Sequence, residues 1–377
     1  MKCNGTYALQ VQTRHGRFAF FNQKFWCSEG RSFAFLQTAE DCPSAVTRGV
    51  KALAVQMCLW TASYQKACLA LTEVTGAALV TRQTLCHSAA ARLDTRLAGE
   101  VTDALQTSLP PLAERVDVYD PNTAELVVFE DGILVKAQKP THEKRAETKA
   151  KKLCQFHQAY FALAPRPDGV YEFVLGSGNG TVSLPSALRA FVCAHWQNLS
   201  EPLAVVAITD GAKDLRNDLD AAFGKPLVQI LDWYHLRKKV CELCSMLVAT
   251  KDARTALKKQ VLRPLFFGKV SEALEVLSAV PVRNAFQHQK LVTYLTKHAH
   301  EIIDYARRQQ AGKPIGSGRM EKGVDCVVGM RQKDRGMSWS KSGSYALAML
   351  TAYAANGHGD HLWNPVPDHI SATRFGQ

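Results

Sequence analysis

Leu203-Ala-Val-Val-Ala-Ile-Thr-Asp-Gly-Ala-Lys-Asp-Leu215 is the stretch that decides the fold. Its first six residues form an unbroken apolar run of strand length, the pattern of a strand covered on both faces. The run ends at Thr209-Asp210-Gly211, and Ala212 to Phe223 follows with helical character. Leu227 to Leu231 is a second apolar run, ending in Asp232-Trp-Tyr-His235. Strands and helices that alternate in this way predict an α/β architecture. Acidic residues then stand at strand ends, where open α/β sheets place their sites.

Working outward, Pro185 to Gln197 reads as a helix and Val170 to Leu175 as a strand. Glu125 to Val135 reads as strand, turn at Asp131-Gly132, strand. A basic stretch with Lys136, Lys139, Lys144, Arg145, Lys149, Lys151 and Lys152 separates these strands. Downstream, residues 236–310 read as continuous helix rich in Lys and Arg, Gly312 to Gly318 as a loop, and Met320 onward as helix to about Ala355.

The N-terminal part differs in character. Tyr7, Leu9, Val11, Phe18 and Phe20 alternate around His15-Gly16, which predicts a β-hairpin. From about Ser44 to Leu97 the apolar residues recur near every 3.6, at Val46, Val50, Leu53, Ala54 and Met57 among others. Within this stretch a helix from Tyr64 to Leu71, a break at Gly76 and a new helix from Val80 have helix-turn-helix spacing. Arg82, Gln83 and Thr84 would then stand where side chains reach base edges or phosphates. An ordinary helical hairpin has the same spacing, so both readings stay open.

The chain has 377 residues, enough for two or three compact units, and 46 Lys and Arg against 34 Asp and Glu. The net charge of +12 points to a polyanionic partner, nucleic acid above all. An apolar fraction of 46% excludes a largely disordered chain. No apolar run approaches the roughly 18 residues of a membrane helix. The start, Met1-Lys-Cys-Asn-Gly-Thr6, lacks a signal-peptide layout, so a soluble, intracellular protein without a membrane partner is expected. Eleven scattered cysteines read as small buried hydrophobes, and the one close pair, Cys241 and Cys244, has no second pair to complete a zinc site.

Three acidic residues stand apart: Asp131 in or at the end of a predicted strand, Asp210 at the end of a buried one, and Glu321 at the start of a late helix. Carboxylates converging in this way can hold two divalent ions. Taken singly, each has an ordinary role as a turn Asp or a first-turn Glu.

Three segments in order carry a family likeness: Ala207-Ile-Thr-Asp-Gly-Ala-Lys-Asp-Leu215, Ile230-Leu-Asp-Trp-Tyr-His-Leu236 and Ile315-Gly-Ser-Gly-Arg-Met-Glu321. With Arg331-Gln-Lys-Asp-Arg-Gly-Met-Ser-Trp-Ser-Lys-Ser-Gly343, they resemble the DDE transposases of bacterial insertion sequences, of the ISKra type related to the Mutator-like superfamily. The resemblance covers most of the chain, and its specific part is the ordered set of C-terminal motifs. It implies an α/β ribonuclease-H-like catalytic domain with an all-helical insertion, preceded by an N-terminal helical, helix-turn-helix-like DNA-binding region. The expected division is a hairpin region at 1–35, a helical DNA-binding region at 36–118, the catalytic domain at 119–240 and 313–357, the insertion at 241–312 and a tail at 358–377.

The resemblance also implies catalytic and metal-binding roles for Asp131, Asp210 and Glu321, with two Mg²⁺ or Mn²⁺ ions. Asp232 and His235 become accessory residues, Asp232 being the rival second ligand, and a hydrogen-bonded structural role for His235 stays open. Arg319, Arg331, Lys333 and Arg335 become phosphate contacts along the final helical segment. The implied activity is metal-dependent cleavage and strand transfer on double-stranded DNA, both element ends and target, by a homo-oligomer in the bacterial cytoplasm at the nucleoid. A ribonuclease-H-like nuclease or resolvase without strand transfer, and a DNA-binding relic with decayed catalysis, are the alternatives.

Overall fold

The structure is a computed structural model that describes residues 2–13, 15–26, 32–34, 46–61, 63–138, 156–197, 199–224, 227–281, 283–333 and 338–358. Much of the basic stretch at 136–152, and Arg335, lie outside the described residues.

Strands β1 (Lys2–Thr13) and β2 (Gly16–Trp26) form the expected hairpin, and β3 (Ser32–Ala34) pairs with the far end of β2. Among the described residues three helices come next, α1 (Arg48–Thr61), α2 (Tyr64–Thr75) and α3 (Arg82–Ala104). Their ends are written locally. Ser63 accepts from the Lys66 N–H to cap α2, Gly76 closes it at φ 69°, and Thr81 accepts from the Thr84 N–H to cap α3.

The central sheet contains β4 (Glu125–Lys136), β5 (Phe156–Pro165), β6 (Tyr171–Val174), β7 (Ala204–Thr209) and β8 (Val228–Leu231). Their spatial order is β6-β5-β4-β7-β8. β4, β5 and β6 are antiparallel neighbours, whereas β7 runs parallel to β4 and β8 parallel to β7. Helix α4 (Leu184–His195) makes the crossover from β6 to β7, and α5 (Lys213–Phe223) the crossover from β7 to β8.

Two expectations about this sheet are corrected. Glu125 to Lys136 is one strand without a turn, since Asp131 pairs with Phe161 and Gly132 with Tyr160 across to β5. The Asp-Gly pair is held in a ladder, and neighbouring strands override its turn preference. β5 was not among the expected strands, although its apolar run Ala159-Tyr-Phe-Ala-Leu-Ala164 carries the signal.

The two sheet faces have separate partners. Leu126, Val128, Ala162, Val205 and Ala207 pack with Leu188 and Val192 of α4 and Leu219 of α5. Val127, Phe129, Phe161, Val206 and Ile208 belong to a second core, on the opposite face. That core also takes in Val50, Leu71 and Leu93 of the N-terminal helices. The region expected at 36–118 as a separate DNA-binding unit is therefore joined to the sheet by a continuous apolar core.

The expected continuous helix at 236–310 is five helices: α6 (Trp233–Leu247), α7 (Lys251–Phe266), α8 (Val270–Ala279), α9 (Ala285–Lys297) and α10 (Tyr305–Gln310). Side-chain caps start α7 at Thr250, α9 at Asn284 and α10 at Asp304, which is why the helical period breaks there. The expected boundary at 240/241 falls inside α6. The final helical segment is also divided, into α11 (Gly318–Val324), a π-helix over Asp325–Lys333 and α12 (Lys341–Ala355). Among the described residues, no helix is long and apolar enough to cross a membrane.

Candidate active site

The parallel ladder between β4 and β7 ends with Phe129 opposite Ile208. Two residues on, Asp131 within β4 and Asp210 just past the end of β7 come within electrostatic reach of each other. Residue parity then separates Asp131 from its neighbour Glu130. Asp131 lies on the face of Phe129 and Ile133, where the charges of Asp210, His235 and Glu321 reach it. Burial raises its carboxyl above the ordinary range, Asp210 and Glu321 add repulsion, and the Gly132 N–H donated to Oδ1 at 2.7 Å acts against the rise.

Glu130 faces the other side of the sheet, towards Asp218 of α5. It is 1% exposed, and neither carboxylate oxygen has a hydrogen-bond partner. Burial, with the charges of Asp218, Asp210 and Asp131, pushes its carboxyl up to about 9. Glu130 therefore keeps its proton at neutral pH.

Asp210 stands just beyond β7, where its Oδ1 accepts from the Ala212 N–H at 2.8 Å. Gly211 follows with φ 81°, a left-handed conformation suited to glycine. A side chain there would also collide with His298, whose Nδ1 pairs with Glu301 Oε2 at 2.6 Å. Arg216 of α5 binds the same Glu301 oxygen at 2.6 Å. This buried His298, Glu301 and Arg216 set ties the end of the helical insertion to the turn after Asp210. Sequence reading missed it; its one trace is the polar run His298-Ala-His-Glu301 after an amphipathic helix.

Asp232 follows β8 and caps α6. Its Oδ1 accepts from the N–H groups of Tyr234 at 2.5 Å and His235 at 3.1 Å. Its Oδ2 accepts from the Ser317 N–H at 2.6 Å and from the Ser317 hydroxyl. Burial favours the neutral acid, but the bonds from His235 and Ser317 outweigh it and hold the carboxyl below the ordinary range. At 1% exposure and with both oxygens engaged, Asp232 is a poor metal ligand. Through Ser317, Asp232 anchors the loop that carries Glu321.

That loop is shaped by close approach. Gly316 has no left-handed φ. Any Cβ on it would overlap the Tyr234 ring. Helix α11 then presents Glu321, whose Oε1 lies 3.6 Å from His235 Nε2. His235 Nδ1 lies 3.6 Å from Asp232 Oδ2, and Asp232 chiefly raises the His235 pKa, with Glu321 and Asp210 adding to it against burial. A half-buried histidine thus bridges the buried anchor and the exposed acid.

The expected DNA contacts separate into groups. Arg82, Gln83 and Thr84 are exposed at the start of α3, although Thr84 is occupied with the Thr81 cap. Arg82 and Gln83 line a cleft shared with Gln138, Ser338 and Trp339. Arg319 is exposed, with its guanidinium 5.0 Å from the centre of the Tyr171 ring, and Lys333 is exposed at the end of the π-helix. Arg331 is a correction: it is buried and donates to the Cys58 carbonyl at 2.7 Å, so it ties the π-helix to α1 and is closed to DNA. Cys244 is also buried, with its thiol pushed up to about 12 chiefly by burial, which supports the structural reading of the Cys241 and Cys244 pair.

Among the described residues, no three His, Cys, Asp or Glu side chains stand close enough to hold a single ion. The donor set at the sheet end is nonetheless all carboxylate oxygen, the chemistry that Mg²⁺ and Mn²⁺ prefer. The mutual repulsion felt at Asp131 is the kind a cation relieves. Compared with known proteins, the chain matches no protein-family model, and no curated protein shows significant similarity to it.

Proposed function

We propose that the chain is a metal-dependent phosphoryl transferase with a ribonuclease-H-like catalytic domain. More particularly, we read it as a DNA transposase of a bacterial insertion sequence. The observation that carries this reading is the meeting of Asp131, Asp210 and Glu321 at one end of the sheet, from three sequence motifs in the order the resemblance requires. The strand order β6-β5-β4-β7-β8, with three antiparallel strands followed by two parallel ones, supports the fold assignment.

Asp131, Asp210 and Glu321 would hold two Mg²⁺ or Mn²⁺ ions. Such ions activate a nucleophile and stabilise the leaving oxygen. The chain's own residues supply position. Asp232 fixes Ser317 and, through it, the start of α11. His235 stands between Asp232 and Glu321, 3.6 Å from a carboxylate oxygen of each, and would steady the Glu321 side chain. Water would attack the phosphodiester at the element end, forming a new P–O bond while the 3′ oxygen leaves and takes up a proton. The freed 3′-OH would then attack a target phosphodiester and displace its 3′ oxygen in turn. Exposed Arg319 and Lys333 suit phosphate contacts, and Arg82 and Gln83 suit contacts to the element end. The substrate places the protein at the nucleoid in the cytoplasm, as a homo-oligomer that holds two element ends.

The test uses the purified chain, duplexes carrying the DNA that flanks its coding sequence, and a target plasmid. With Mg²⁺ or Mn²⁺, joined products are expected; cleaved ends that never join would favour a nuclease. Asp210→Asn and Glu321→Gln should each abolish cleavage while the DNA remains bound. Full cleavage by either variant would remove that residue from the site.

A further inference from the structure

The hairpin register sorts its side chains onto two faces of opposite character. Tyr7, Leu9 and Val11 pair with Asn22, Phe20 and Phe18, and on that face Val11 and Asn22 are buried. Thr6, Ala8, Gln10 and Gln12 pair with Gln23, Phe21, Ala19 and Arg17 on the other face. Those residues are exposed apart from the partly covered Gln12, and Phe21 reaches 84% exposure. Three amides, one guanidinium and one aromatic ring stand outward on this face among the small residues Thr6, Ala8 and Ala19.

The charge is equally one-sided. The first 28 residues hold four Lys and Arg and no Asp or Glu. Two copies of this face related by a two-fold axis would offer Arg17 no carboxylate, so self-pairing has no electrostatic partner. One edge is also closed near the turn, where the Gln12 carbonyl accepts from the Thr47 N–H at 3.0 Å and Gln12 bridges to Val46. A polyanion supplies the missing charge.

We propose that this face of the β1–β2 hairpin is a DNA-reading ribbon that enters the major groove. The inference rests on the nucleic-acid part of the proposed function. A two-stranded ribbon fits the major groove, where Gln reads adenine and Arg reads guanine through paired hydrogen bonds. Strands of 11 and 12 residues run about 35–40 Å, close to one turn of duplex. The Gln12 amide lies 3.1 Å from both Nε and Nη2 of Arg17, so with its oxygen assigned to that side it accepts from both and steadies the guanidinium. The remaining guanidinium N–H groups stay available, and Gln10 and then Gln23 follow on the same face further from the turn. Phe21 adds an apolar contact suited to a thymine methyl group.

The experiment uses the full chain in EDTA and a labelled pool of 30-base-pair duplexes with randomised centres. Binding is read by anisotropy from 50 to 200 mM salt, and bound duplexes are sequenced after repeated selection. The wild-type chain should enrich a shared motif. Gln10→Ala with Gln23→Ala should lose roughly tenfold or more of the preference for that motif over the starting pool. Arg17→Gln should make the dependence of log affinity on log salt shallower by about 0.9 for each lost phosphate contact, or reduce selectivity if the guanidinium reads a base. Melting temperatures equal to wild type establish that the variants are folded. Hairpin variants that bind and select as the wild type would overturn the proposal and leave the DNA reading intact. Failure of the whole chain to bind duplex would overturn both, and failure to enrich any motif would overturn base reading. A change confined to sedimentation behaviour would make the face a contact between copies of the chain and so overturn the proposal too.

Discussion

Replacing Asp232 by Asn keeps the size of the side chain and removes one acceptor. In the native structure four donors converge on this carboxylate, two from the start of α6 and two from Ser317. An amide oxygen can still cap α6, but its NH₂ group then faces the Ser317 N–H, donor against donor. The opposite orientation keeps Ser317 and abandons the cap. Either way a buried donor is left unpaired, at a cost of roughly 1–3 kcal/mol, with loss of the charge-assisted bonds adding to it. Urea denaturation of Asp232→Asn should show that loss at pH 7. The gap should close in acid: the native carboxyl titrates below its unfolded value of 3.8, so its stabilisation is complete above that value and fades as pH falls through the native one. Strand cleavage should fall further than stability, because Glu321 is delivered by the loop that Asp232 anchors and small misplacements cost large factors in rate. Ser317→Ala, which removes only the hydroxyl, should lie between wild type and Asp232→Asn in both assays. Wild-type stability and wild-type cleavage in Asp232→Asn would refute the anchoring argument.

Glu130→Gln should flatten the pH dependence of stability. The native carboxyl keeps its proton up to about 9 while the unfolded one releases it near 4.5, so wild-type stability should decline across that window by up to about 1.4 kcal/mol per pH unit. Parallel curves for Glu130→Gln and wild type in pH-dependent melting would show that Glu130 is not held protonated. Arg331→Met should lower stability by about 1.5–3 kcal/mol through the lost charged hydrogen bond to the Cys58 carbonyl, with no change in the salt dependence of DNA binding. Loss of DNA affinity with unchanged melting would return Arg331 to the DNA-contact group.

The sequence by itself determined the elements whose burial is uniform or whose ends are chemically marked. Leu203 to Ile208 and Leu227 to Leu231 are legible because strands covered on both faces need apolar residues throughout, and Asp210 and Asp232 follow as the first polar residues beyond them. Ser63, Gly76 and Thr81 mark helix ends because capping is a bond between near neighbours. Tertiary structure alone decided matters that depend on which distant groups meet. Asp131 and Glu130 are adjacent acids, and only the ladder with β7 and the helices on each face bring one within reach of Asp210 and Glu321 and bury the other without a hydrogen-bond partner. Arg331 looks like any cation after a catalytic motif until the π-helix buries it against a carbonyl 273 residues away in the chain. Glu321 gains its place from a bond between Ser317 and Asp232 across 85 residues. The physical reason is common to all three: hydrophobic pattern and capping are local, whereas the burial and pairing of a charge depend on contacts formed only when remote segments pack together.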